Sequence, residues 1–132
     1  MIIAVIGSGG REHSICKKIS ESPKISKIYC LPGNAGTSEI AENIEIDINN
    51  FEKIKNFLIK SKIDLVVVGP EKPLVNGIVD FLEKEKIKYL VQKKYLLNLK
   101  GQKFLQKKFV KNIIFLQQIL VFLKILKIQL NF

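Results

Sequence analysis

Ile2-Ile3-Ala4-Val5-Ile6-Gly7-Ser8-Gly9-Gly10-Arg11-Glu12-His13 reads as a strand, a tight turn and the start of a helix. Five consecutive apolar residues, most of them β-branched, suit a strand covered on both faces in a parallel sheet. The run carries no basic leader and breaks at Gly7, which makes it a strand rather than a signal peptide. From Arg11 to Glu21, Ile15 and Ile19 lie four apart, the single apolar stripe of a surface helix, and Pro23 ends it.

The same alternation continues. Lys27 to Leu31 reads as a second strand, followed by the loop Pro32-Gly33-Asn34-Ala35-Gly36-Thr37, whose Gly and Asn residues tolerate positive φ. Ile44-Glu45-Ile46-Asp47-Ile48 alternates with period two, predicting a half-exposed third strand. Asn50 is placed to cap a helix over Phe51 to Lys60, with Phe51, Ile54, Phe57 and Leu58 on one face. Asp64 to Val68 is a buried strand, Leu74 to Lys84 a helix, and Ile87 to Val91 a further strand. The expected fold is a doubly wound, mostly parallel α/β sheet. In such sheets ligands sit at the carboxyl ends of strands, and the loops after Ile6, Leu31 and Val68 all fall there.

Three loops therefore carry the candidate chemistry. The Gly7 to Gly10 turn precedes a helix, so backbone N–H groups and the positive helix end converge where a phosphate can bind. The same glycines also permit a tight βα turn with no ligand, and the loop alone does not separate the two readings. A dinucleotide role is disfavoured: Glu12 stands where the GxGxxG pattern needs Gly or Ala, and the second strand ends in Leu31-Pro32 without an acid for a ribose hydroxyl. Arg11 has the planar fork that suits phosphate oxygens, against the alternative of a solvated surface charge. His13, alone in a first helical turn, is either a hydrogen-bond partner for a ligand or, as such residues more often are, a satisfied structural residue. Glu71, between two prolines, is either an acceptor for an amine or hydroxyl or a loop charge.

Taken together, GSGGREH at 7 to 13, LPGNAGT at 31 to 37 and VVGPEKPLVNGIVD at 67 to 80 closely resemble the N-terminal domain of the phosphoribosylamine-glycine ligase (glycinamide ribonucleotide synthetase) family of purine biosynthesis. The motifs keep family order and spacing over residues 1 to 89. The resemblance implies a Rossmann-like pre-ATP-grasp domain. It implies a cytoplasmic ATP-dependent carbon-nitrogen ligase in which ATP and magnesium or manganese convert the glycine carboxylate to an acyl phosphate, which the amine of 5-phosphoribosylamine attacks. The positions carried over as substrate-binding are Gly9, Gly10, Arg11, Glu12, Asn34, Gly36, Pro70 and Glu71. No catalytic or metal-ligating residue is carried over, because the nucleotide and metals belong to later domains of the family. The resemblance thus predicts a truncated fragment that binds neither ATP nor metal and is inactive alone. For the full-length family the resemblance implies the small substrates phosphoribosylamine and glycine as partners, with no nucleic acid and no membrane. The alternative is a sugar-phosphate or nucleotide binding module, or a membrane- or nucleic-acid-associated protein acting through its basic end.

That alternative rests on charge. The 132 residues carry a net +10, which ordinarily points to a polyanionic partner. Residues 1 to 89, however, hold 13 basic and all 12 acidic side chains, whereas residues 90 to 132 hold nine lysines and no acid. An apolar content of 47% is enough for a core and argues against global disorder. Cys16 and Cys30, without CxxC spacing and with a single histidine, suit reduced thiols better than a zinc site or disulfide framework.

Residues 90 to 132 use only nine residue types and lack Ala, Ser, Thr, Pro, Asp and Glu, a composition abnormal for a soluble domain. Reading this basic, apolar tail one nucleotide late explains it. TTT GGT CCA, encoding the family's FGP, becomes codons for Leu90-Val91-Gln92. GAA GGG TCA AAA, encoding EGSK, becomes codons for Lys100-Gly101-Gln102-Lys103. KYNIPTA likewise yields Asn112-Ile113-Ile114-Phe115-Leu116-Gln117-Gln118. The expected organisation is a ligase domain over 1–89 and a frameshifted, non-native tail over 90–132. The competing reading is a lineage-specific basic amphipathic helix at a membrane surface.

Overall fold

The computed structural model describes residues 1–91; the expected tail, apart from residues 90 and 91, lies outside the described residues. The strands are β1 (Ile2–Gly7), β2 (Lys27–Pro32), β3 (Glu42–Asn43), β4 (Leu65–Val68) and β5 (Tyr89–Val91). They form one sheet in the order β3-β2-β1-β4-β5, with every neighbouring pair parallel. The helices are α1 (Gly10–Ser20), α2 (Phe51–Lys60), α3 (Glu71–Val75) and α4 (Ile78–Lys84).

Because the chain runs outward from β1 to β3 and then returns to β4, the strand order reverses at β1, the topology of a doubly wound sheet. Adjacent residues of β2 show that both faces are covered. The Cys30 thiol meets the Cys16 thiol of α1. The next residue back, Tyr29, meets Phe57 of α2 edge-on at 5.1 Å between ring centroids. Successive strand side chains point to opposite faces, so α1 and α2 lie on opposite sides. The central strands are correspondingly apolar without alternation: Ile3 to Ile6 and Leu65 to Val68 are all buried. Ile54 and Leu58 of α2 and Ile78 and Leu82 of α4 are buried as well, and Phe51 packs on Phe81 at 5.6 Å.

Two elements depart from the sequence reading. The strand expected at 44–48 does not form; the edge strand is instead the two residues Glu42–Asn43 that precede it. Ile44 still donates its N–H to the Cys30 carbonyl oxygen, at 2.9 Å, but the Ile46 N–H turns back on the Ile44 oxygen at 2.8 Å and the ladder ends. A period-two pattern reports alternating exposure and not hydrogen-bonded partners. The expected helix over 74–84 starts earlier, at Glu71, and breaks at Asn76-Gly77, where Gly77 takes φ +88° and allows α4 to leave in a new direction. β5 runs two residues past Tyr89, the expected domain boundary.

Candidate functional site

The strand register brings the three loops to one edge. Gly7 stands opposite Pro32, and Ile6 opposite both Leu31 and Val68, so β1, β2 and β4 end level with one another. Loop 1 (Gly7 to Gly10) then enters α1, loop 2 (Gly33 to Thr37) enters a single 3-10 turn at Thr37–Glu39, and loop 3 (Gly69-Pro70) enters α3. Loop 1 lies between the other two, at the point where the strand order reverses.

Loops 1 and 2 are clamped by Asn34. Its Nδ2 donates to the Ser8 carbonyl oxygen at 2.7 Å and to that of Gly9 at 3.3 Å, and the Gly33 N–H donates to the Gly7 oxygen at 3.1 Å. Asn34 is itself held by Thr37, which is fully buried. The Asn34 N–H donates to the Thr37 hydroxyl at 2.7 Å, and the Thr37 N–H donates to Asn34 Oδ1 at 2.9 Å. Asn43 closes the cluster, its Nδ2 donating to the Asn34 carbonyl oxygen at 2.7 Å. Gly33, at φ +80°, allows the close approach, because a Cβ there would lie 2.2 Å from Asn43 Oδ1.

Loops 1 and 3 are joined by Arg11 and Glu12. Arg11 Nη1 donates to the Gly69 carbonyl oxygen at 3.2 Å, and the Gly69 N–H donates to the Ile6 oxygen at 3.1 Å. Glu12 is 5% exposed, and its Oε2 accepts the Gly9 N–H at 2.7 Å, satisfying the amide that begins the helix. The carboxylate fills space that glycines leave open. A Cβ on Gly7 would lie 2.6 Å from Glu12 Cγ, one on Gly9 2.8 Å from Oε2, and one on Gly69 2.0 Å from Oε1.

The carried-over residues thus separate into two sets. Gly9, Gly10 and Arg11 are exposed at the rim, and nothing lies within 4 Å of the Cβ position of Gly10. Glu12 points into the protein, and Asn34 is committed to backbone partners. Gly36 packs near His13, whose ring carbon Cδ2 lies 3.3 Å from the Gly36 Cβ position. Pro70 caps α3 and Glu71 begins it, exposed. Thr37, Asn43 and Gly69 belong to the loop architecture but were not among the carried-over positions. Thr37 and Gly69 sit inside the quoted motifs, whereas Asn43 has no local sequence signal. Among the described residues, no three His, Cys, Asp or Glu side chains group as a metal site, and no helix is long and apolar enough to cross a membrane.

Residues 1–97 match the family described as phosphoribosylglycinamide synthetase, N domain. A phosphoribosylamine-glycine ligase from Caldanaerobacter subterraneus subsp. tengcongensis is 45% identical over 107 residues, covering 81% of this chain and 26% of that protein. One from Synechocystis is 48% identical over 85 residues, 63% of this chain and 20% of that protein. One from Clostridium acetobutylicum is 40% identical over 111 residues, 84% and 27% respectively. The chain spans about a quarter of the length of the curated relatives it matches. The family match takes in the whole described sheet with all three loops, and the chain belongs to the phosphoribosylglycinamide synthetase N-domain family.

Proposed function

We propose that residues 1–89 are the phosphoribosylamine-facing unit of a ligase that forms glycinamide ribonucleotide from 5-phosphoribosylamine, glycine and ATP. The observation that carries this reading is the clamped loop edge, where Asn34 and Arg11 tie loops 1, 2 and 3 into one rim at the strand-order reversal. On that rim the exposed start of α1 offers backbone N–H groups, and Arg11 offers a guanidinium, to the 5-phosphate. Gly10, with open space where a side chain would be, leaves room for the sugar phosphate to approach the backbone. Glu12 and Asn34 act by holding loop 1 in shape rather than by touching substrate.

We further propose that the nucleotide and its metal are held by parts of the ligase other than residues 1–89. When bound to the whole enzyme, ATP and its metal supply the activated carboxyl group. This chain alone is expected to hold the sugar phosphate without turnover, as a cytoplasmic unit with no nucleic-acid or membrane partner. The near neutrality of residues 1 to 89 supports that assignment.

Calorimetric titration of the full chain with ribose 5-phosphate tests the reading. Saturable binding is expected, and Arg11→Ala should weaken it about tenfold, the worth of one charge-assisted hydrogen bond. Absence of binding, or binding indifferent to Arg11→Ala, overturns the assignment. Formation of ADP from ATP, glycine and phosphoribosylamine by this chain overturns the expected inactivity.

We extend the reading to residues 90–132 as translation in the wrong frame, supported by their nine-letter composition and by the three hidden family motifs. The nucleotide sequence of the gene is the test.

A further inference from the structure

β3 is only two residues long, yet one of them completes a set of contacts that ends at loop 1. The ladder sets Asn43 opposite Cys30 of β2. From there its amide closes a ring with the Thr37 hydroxyl and the backbone of Asn34. The Asn34 N–H donates to Thr37 Oγ1 at 2.7 Å, and Asn43 Nδ2 donates to the Asn34 carbonyl oxygen at 2.7 Å. Thr37 Oγ1 lies 3.0 Å from that carbonyl oxygen and 2.8 Å from Asn43 Oδ1. A hydroxyl has one proton. The carbonyl is already served by Asn43, so the proton completes the ring on Asn43 Oδ1.

The ring leaves the Asn34 side chain one orientation. The Thr37 N–H, donating at 2.9 Å, requires an oxygen, and the Ser8 and Gly9 carbonyl oxygens, at 2.7 and 3.3 Å, require a donor. Nδ2 therefore faces loop 1. The C=O and N–H of a trans peptide point in opposite directions, so holding a carbonyl oxygen aims the following amide away from Asn34. In the Ser8–Gly9 peptide that amide is the Gly9 N–H, which meets Glu12 Oε2 at 2.7 Å. In the Gly9–Gly10 peptide it is the Gly10 N–H, the first amide of α1, which has no acceptor within its own helix. This amide is aimed off the helix start, beside the open space at the Gly10 Cβ position.

We propose that Asn43 and Thr37 are positioning residues for the phosphate group of the sugar phosphate: they touch no ligand, but by fixing the Asn34 amide they hold the Gly9–Gly10 peptide with its N–H toward the phosphate. The inference rests on the assignment of loop 1 to the sugar phosphate. It gives the two-residue β3 a part in the site, since the ladder is what delivers Asn43 to loop 2. Without the ring, the Asn34 amide is free to turn its oxygen toward the loop 1 carbonyls. The Ser8 and Gly9 carbonyls then lose the donor that orders them, and binding must order the loop as well as hold the ligand.

The full chain and its variants are titrated calorimetrically with ribose 5-phosphate, with urea unfolding of each to establish that the titrated protein is folded. Thr37→Val keeps the shape and the backbone N–H but removes the hydroxyl, and Asn43→Leu keeps the approximate volume but removes both of its ring bonds; neither changes the charge. Each should weaken binding about tenfold. Thr37→Ser, which retains the hydroxyl, should bind as the unsubstituted chain does. A lower urea midpoint with unchanged affinity of the folded protein is the result of a purely structural role and overturns the proposal. The unsubstituted chain gives a reading that needs no variant. In its NMR spectrum the Asn34 side-chain amide protons should be protected from solvent exchange before ligand is added and should keep their shifts at saturation, whereas the Gly10 N–H moves. Asn34 protons that shift as far as the Gly10 N–H mark direct ligand contact and overturn the proposal. Binding indifferent to both ring variants overturns this inference and leaves the assignment of loop 1 standing; no binding by the unsubstituted chain overturns both.

Discussion

Glu12 is the residue where neighbouring letters and spatial neighbours diverge most. In the sequence it stands in a glycine-rich turn among residues expected to face a ligand, and the family resemblance carries it over as a substrate contact. In the structure its carboxylate lies among Gly7, Gly9 and Gly69, two of them from loop 1 and one from the loop after β4, 57 positions along the chain from Glu12. Gly69→Ala should therefore destabilise the protein by about 1–3 kcal/mol, because the new methyl group must displace a carboxylate that is hydrogen-bonded and enclosed. Glu12→Ala should cost about 1–3 kcal/mol through the unpaired Gly9 amide. The double variant should lose less than the sum, since removing Glu12 vacates the space that the methyl group needs. Urea unfolding of the four proteins measures this, and strictly additive losses would mean that the two residues do not share the space. The glycines of loop 1 were legible as a turn, but not as the walls of a carboxylate pocket, because their partner wall comes from a distant loop.

At the scale of elements, α2 was readable almost to the residue because its signals are local. Asn50 Oδ1 accepts the Lys53 N–H at 3.1 Å as the N-cap, and the apolar positions then recur at helical spacing. Just before it, Asp47 Oδ1 accepts from the Asn49 N–H at 2.9 Å and from Asn49 Nδ2 at 3.0 Å, while the Asn50 N–H donates to the Asp47 carbonyl oxygen at 2.9 Å. The backbone N–H of Asn49, then its side chain, hold the Asp47 carboxyl below its ordinary pKa. A depressed folded-state pKa contributes stability that is present above the unfolded value, about 3.9, and is lost as pH falls through the folded value. Asp47→Asn should accordingly be slightly less stable than the unsubstituted chain at neutral pH, with the difference closing below about pH 4. Urea midpoints across that range check it, and a gap that widens on acidification contradicts the assignment. The strand expected at 44–48 and the uninterrupted helix expected at 74–84 failed for a different reason. Where an edge ladder stops depends on the strand beside it, and Gly77 breaks a helix whose direction is set by packing on α2 and α3.

For the molecule as a whole, the net charge of +10 is an average over unlike parts. The folded sheet draws on a nearly neutral segment, and the excess lies almost entirely beyond the described residues. If residues 90–132 are read out of frame, the codons for residues 112 to 118 must hide KYNIPTA one nucleotide away. Sequencing the gene shows whether they do, and codons incompatible with that peptide would make the lysine-rich end a genuine tail.

The sequence by itself determined the α/β class, the parallel character of the buried strands, the three loops at one edge and the family, because runs of apolar residues, glycine turns and motif spacing are properties of contiguous chain. Only the tertiary structure decided that β1 lies between β2 and β4, that Glu12 and Asn34 brace the loops, and that Cys16 and Cys30 are both buried in the core. Those facts depend on strand register and helix placement, which bring together residues whose separation in sequence leaves no local trace of their contact.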